Sequence, residues 1–110
     1  MKTRNGFVSN SSSSSFIITN KSDRNISLVD FVKENPQLIQ KWNQEYSYDE
    51  TQEELIESAE ENDFIFPANS SDNYTFGDED GTMIGRVFDY ILRDGGESDN
   101  FEWRFDQYYR

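Results

Sequence analysis

Apolar residues in this 110-residue chain fall into short clusters whose spacing switches between a helical and a strand period. Leu28, Phe31 and Val32 repeat at i, i+3 and i+4, one face of a helix. Ser27 stands as its N-cap, with acidic Asp30 at the third helical position. Asn35-Pro36 ends it, because proline disfavours helical geometry in the residue before it. Pro36 also suits the first turn of a second helix, in which Leu38, Ile39 and Trp42 continue the apolar stripe. The pattern therefore predicts a helical elbow rather than a straight rod. Thr51-Gln52-Glu53-Glu54 is a capping box, followed by Leu55, Ile56 and Ala59 on one side of a third helix. The strongest amphipathic signal is Met83, Ile84, Val87, Phe88, Ile91 and Leu92, stopped by Gly95-Gly96.

Strand-like segments surround these helices. Gly6-Phe7-Val8 and Phe16-Ile17-Ile18-Thr19 read as two short strands joined by Ser9 to Ser15, a loop in which serine side chains can satisfy backbone groups. Asn20 to Asn25 reads as a polar turn. Phe64-Ile65-Phe66-Pro67 and Tyr74-Thr75-Phe76 are further strands, separated by a polar loop with Asn69, Ser70, Ser71, Asp72 and Asn73. Near the C-terminus Phe101, Trp103 and Phe105 alternate with Glu102, Arg104 and Asp106, a half-buried strand whose aromatic face is expected to pack on the 83–92 helix. The fold class that follows is a single small α+β domain, with a short, mostly antiparallel sheet packed against three or four helices. Its parts are a basic, serine-rich, β-forming segment (1–19), a helical acidic segment (27–63) and a strand-helix-strand part (64–110).

Composition changes this picture in two ways. Only 34% of the residues are hydrophobic, yet nine Phe, six Tyr and two Trp bury large areas each, so one modest core is feasible. Clustering of the apolar residues at helix and strand periods argues against disorder, despite a net charge of −12. The chain holds no Cys and no His, which removes disulfides, thiolate chemistry, the usual zinc sites and the Ser-His-Asp triad. No apolar run reaches the length of a membrane span, and the N-terminus lacks the apolar core of a signal peptide, so a cytoplasmic location is expected.

The charge is unevenly placed. Residues 1–24 carry a net +3, leaving −15 for the rest. Asp49, Glu50, Glu53, Glu54, Glu57, Glu60, Glu61 and Asp63 follow one another with no basic residue between them. Acids late in a helix oppose its dipole and repel each other, so this segment accepts a local cost to keep a dense negative face. Such a surface repels phosphates and anionic membranes and favours basic protein grooves.

Motifs for catalysis do not assemble. Placing Gly81 of Asp78-Glu79-Asp80-Gly81 at the sixth position of an EF-hand loop puts Phe76 first and Val87 twelfth, where oxygen ligands are required. The serine tract lacks the Gly-Lys-Ser/Thr ending of a phosphate loop, and no lysine stands in a recognisable relation to it. The acids are too many for any pair to single out a glycosidase, and an ADP-ribosyl transferase built on Arg4, the serines and Glu97 or Glu102 does not match in detail. The expectation is a non-enzymatic protein with no metal and no cofactor.

The opening Arg4-Asn5-Gly6-Phe7-Val8-Ser9-Asn10, followed by Ser11 to Ser15 and Phe16, resembles the first residues of many small proteins encoded by bacteriophages and by bacteria with phage-derived genes. The resemblance covers about residues 1–18. It implies a phage-derived product acting in the cytoplasm of an infected bacterium. The charge pattern adds a mode of action: an acidic protein that binds and inhibits a basic host protein, such as a nuclease, polymerase or immune effector, its carboxylates taking the places of phosphates. Asp49, Glu50, Glu53, Glu54, Glu57, Glu60, Glu61, Asp78, Glu79 and Asp80 are the expected partner-binding residues, with Tyr46 and Tyr48 as neighbouring anchors. Direct nucleic-acid and membrane binding are not expected. Two other readings stand beside this one: a virion or assembly component associating, or forming a homo-oligomer, through its N-terminal β-forming segment, and a small-ligand binder using the serine loop.

Overall fold

The structure is a computed structural model that describes residues 13–77 and 82–109. Its main sheet is antiparallel and four-stranded, in the order β4 (Ser70–Gly77), β1 (Ser13–Asn20), β6 (Phe101–Tyr109), β5 (Gly96–Glu97). A separate two-stranded pair joins β2 (Ile26–Ser27) to β3 (Ile65–Phe66). The described residues also form four α-helices: α1 (Leu28–Glu34), α2 (Gln37–Tyr46), α3 (Gln52–Glu61) and α4 (Met83–Ile91), the last running into a 3-10 turn at Leu92–Asp94. This is a small α+β domain with a mostly antiparallel sheet packed against helices.

The helices start and stop where local chemistry requires. Asp30 N–H donates to the Ser27 hydroxyl at the start of α1. Thr51 and Glu54 form both halves of the capping box on α3. The elbow between α1 and α2 falls at Asn35-Pro36, where buried Asn35 donates its side-chain amide to Phe31 O at 2.8 Å.

The serine tract departs from expectation. Ser13, Ser14 and Ser15 are not loop residues but the buried start of β1, which pairs with β4 on one side and β6 on the other. Serine is tolerated there because the hydroxyls of Ser14 and Ser15 find partners at close range. Ser14 Oγ donates to Asp89 Oδ1 of α4 at 2.7 Å on the helix side, and Ser15 Oγ to Asp106 Oδ2 at 3.2 Å on the other side. Pairing with β6 slips by one residue between Ser15 and Phe16, which sets Asp106 in a bulge. Gly6-Phe7-Val8 and Ser9 to Ser12 lie outside the described residues.

Two further segments read differently in three dimensions. Ser70 to Asn73 belong to β4 rather than to a loop; an edge strand with one solvated face accommodates their polar side chains. The aromatic face of β6 meets α1, not chiefly α4. The Phe31 ring lies 4.7 Å from Phe101 and 5.5 Å from Trp103, while α4 reaches the sheet through Phe88 against Phe76 of β4 at 5.2 Å. The short β5 went unseen in the sequence. Gly95 reverses the chain with a φ of +73°, and a Cβ on Gly96 would stand 2.7 Å from the Trp103 ring.

Phe31 also contacts Phe66 and Phe88, each at 5.6 Å, so its ring bridges the helices and both sheets. Phe31→Ala is expected to cost about 3–5 kcal/mol of unfolding free energy, measurable by urea titration. Glu34 ties the end of α1 to the β5–β6 turn, accepting from Ser98 Oγ at 2.5 Å and from the Asn100 backbone and side-chain N–H groups at 2.9 Å. Burial raises its pKa, but these donors and the Arg24 charge outweigh that and hold it below the ordinary value. A carboxylate depressed in the folded state stabilises fully above its unfolded pKa, and that contribution is lost as pH falls through the folded value. Melting curves between neutral and acidic pH should therefore show a smaller acid-side loss for Glu34→Gln than for the wild type.

Candidate functional site

Helix α3 carries the acidic surface. Leu55, Ser58 and Ala59 are buried against the body, and Glu53, Glu57, Glu60 and Glu61 share the opposite, exposed face at the spacing i, i+4, i+7, i+8. Two contacts fix its position: Gln52 donates to Val32 O of α1 at 2.9 Å, and Ile84 N–H at the start of α4 donates to Ser58 Oγ at 3.0 Å. Among the described residues, none of the four glutamates has a Lys or Arg within ion-pair distance. No basic residue occupies the last turn to offset the dipole either.

The other predicted acids divide by what they touch. Glu54 caps the start of α3. Glu50 is half-buried and paired with Arg86 at 3.5 Å. Asp63, beyond the helix, accepts from Val29 N–H at 3.3 Å and Phe64 N–H at 3.0 Å. Asp49 is exposed. Asp78, Glu79 and Asp80 lie outside the described residues. The structure thus gathers Glu53, Glu57, Glu60 and Glu61 on one face and gives Glu50, Glu54 and Asp63 structural tasks.

Next to the N-terminus of α3 lies an aromatic patch. Trp42 of α2 stacks on Tyr48 at 5.0 Å with nearly parallel rings, and Tyr46 contacts both Trp42 at 4.8 Å and Tyr90 of α4 at 5.6 Å. The Arg86 guanidinium lies 5.6 Å from the ring centroids of both Trp42 and Tyr48, and Arg93 lies 4.7 Å from that of Tyr90. The connection bearing Tyr48 is held by Asn43, whose side chain donates to Glu50 O at 2.7 Å and accepts from Glu50 N–H at 3.0 Å. Ser47 turns the chain there in a left-handed conformation, φ 59°. Sequence spacing singled out Tyr46 and Tyr48 but not Arg86, which comes from a helix 36 residues beyond Glu50.

A buried polar cluster was also missed. Asp89 is fully buried on α4, its Oδ1 accepting from Ser14 Oγ and from Arg93 Nη2 at 3.0 Å, while Oδ2 has no partner among the described residues. An aspartate at a helical core position is the only sequence hint of it. A cleft of about 290 Å³ between β4 and α4 is lined, among the described residues, by Leu28, Phe64, Phe76 and Ile84 with smaller neighbours and no charged side chain. Among the described residues no group of acids could hold a metal ion, and no helix is long and apolar enough to cross a membrane.

Of the N-terminal segment used by the assembly and ligand readings, only Ser13 onward is described. Residues 13–18 are paired on both sides in β1, so they have no free edge to lend to another subunit. Ser13 to Ser15 are buried, so they offer no open hydroxyls to a solute. No protein-family model, curated protein or solved structure matches the chain.

Replacing Glu60 and Glu61 by Gln should raise stability by a few tenths of a kcal/mol each, because both acids oppose the helix dipole and have like-charged neighbours. The gain should shrink in high salt, as thermal melts at two ionic strengths would show.

Proposed function

We propose that this protein is a non-catalytic, phage-derived binding protein that presents the acidic face of α3 to a basic bacterial host protein and inhibits it. The observation that carries the reading is the row Glu53, Glu57, Glu60 and Glu61, exposed, co-facial and without a cation within reach among the described residues. Solubility does not require four unpaired acids on one helix face, and the arrangement costs stability at the C-terminal end of α3. A regular row of carboxylates resembles a phosphate backbone in charge, and it suits a groove whose ordinary ligand is a nucleic acid. Nucleases, polymerase subunits and immune effectors have such grooves. Inhibition then follows from occupying the groove, with electrostatic steering of the encounter. The resemblance of the opening residues to phage-encoded proteins supports the setting, the cytoplasm of an infected bacterium.

Affinity purification from a bacterial lysate, run in parallel with the wild type and a variant carrying Glu53→Lys, Glu57→Lys, Glu60→Lys and Glu61→Lys, tests this. The wild type should retain a basic protein at low salt and release it as salt is raised, and the variant should not retain it. Identical retained proteins for both forms would sink the reading.

A further inference from the structure

Resting on that reading of an acidic binding surface, we infer that the partner segment it reads is arginine-bearing rather than simply cationic, and that Tyr46 and Tyr48 are the residues that tell the difference. The fold already makes this contact twice within itself. Arg86 lies over the Trp42 and Tyr48 rings while its guanidinium faces the Glu50 carboxylate at 3.5 Å, and Arg93 lies over Tyr90 while it binds Asp89 at 3.0 Å. In both cases one guanidinium contacts both aromatic ring and carboxylate.

The outer part of the same patch has the ingredients for a third such contact with an incoming chain. Tyr46 and Tyr48 remain 42% and 46% exposed, although each has one side packed on Trp42. Asp49 follows Tyr48 directly, and Glu53 stands in the first turn of α3, both exposed.

Rigidity strengthens the case. The Tyr46–Thr51 connection is fixed by the two Asn43 side-chain bonds to Glu50 and by Tyr48 N–H donating to Asn43 O at 3.2 Å. A ring held in place loses little freedom when a ligand stacks on it. Arginine exploits such a surface better than lysine: its guanidinium is planar, weakly hydrated, stacks on rings and bonds a carboxylate through two N–H groups, whereas an ammonium is a strongly hydrated point charge. The occupant is therefore a basic polypeptide segment whose arginines stack on Tyr46 and Tyr48 while flanking cations meet Glu53 and Glu57.

The test uses the full chain with two probes of equal charge, oligoarginine and oligolysine peptides of the same length, titrated calorimetrically at low and moderate salt. Oligoarginine should bind more tightly, by about 2- to 5-fold for each ring engaged. The preference should survive Tyr46→Phe with Tyr48→Phe, which keep the aromatic faces, and disappear with Tyr46→Leu and Tyr48→Leu, which keep apolar cover over Trp42. Circular dichroism melts confirm that each variant is folded. Equal affinity of the wild type for both peptides, or a preference that persists in the leucine variant, overturns the inference. In either case binding that weakens with Glu53→Gln and Glu57→Gln leaves the acidic-surface reading standing. If neither peptide binds at low salt, both fall together.

Discussion

The ring of Phe31 is the contact on which the rest of the structure depends. It meets Phe66 of the small sheet, Phe88 of α4, and Phe101 and Trp103 of β6, three of these with rings near perpendicular. Edge-to-face pairs add to burial because the positive rim of one ring meets the negative face of the next. A chain with 34% hydrophobic residues has few aliphatic side chains with which to build a core. Concentrating aromatic area around one residue lets a short helix of seven residues hold two sheets and a neighbouring helix together.

Once that centre is set, polar residues can occupy places ordinarily left to apolar ones. Strand β1 begins with buried serines, and Asp89 and Asp106 accept from Ser14 and Ser15. Asn20, at the other end of the strand, is buried and donates to Arg24 O and Phe66 O, each at 2.9 Å, while its Oδ1 accepts from Ser22. Both ends of β1 are therefore pinned by side-chain hydrogen bonds, and its middle by Phe16 and Ile18 in the core. Buried polar groups of this kind make register specific, since a slip by one residue would leave them unpaired.

Charge is distributed by task. Glu34, Glu50, Glu54 and Asp63 all engage donors within the fold, whereas the outward row on α3 engages none among the described residues. The proposed mode of action uses the contrast between the two sets. These fold-holding acids are half-buried or at helix ends, and the acids that the proposal assigns to a partner sit on a helix packed by Leu55 and Ala59. The aromatic patch next to the start of α3 supplies what a purely acidic surface lacks, a flat apolar contact that charge alone does not provide.

What the sequence determined by itself is local. Caps at Ser27 and Thr51, the break at Asn35-Pro36, the amphipathic run from Met83 and the alternation that buries Phe101 and Trp103 all depend on neighbours within a turn or two, and each stands in the structure as read, whereas Phe105, read as part of the same buried face, is exposed. The outward glutamates of α3 were legible for the same reason, because helical spacing places them without reference to any other element. Tertiary structure alone decided which acids were already engaged, since Arg86 reaches Glu50 from a distant helix. It alone placed Ser13 to Ser15 inside a sheet, since the acceptors for Ser14 and Ser15 stand 75 and 91 residues away. Hydrogen bonds and ring stacking act over a few ångströms in space, and nothing in local spacing records which distant residues the fold will bring that close.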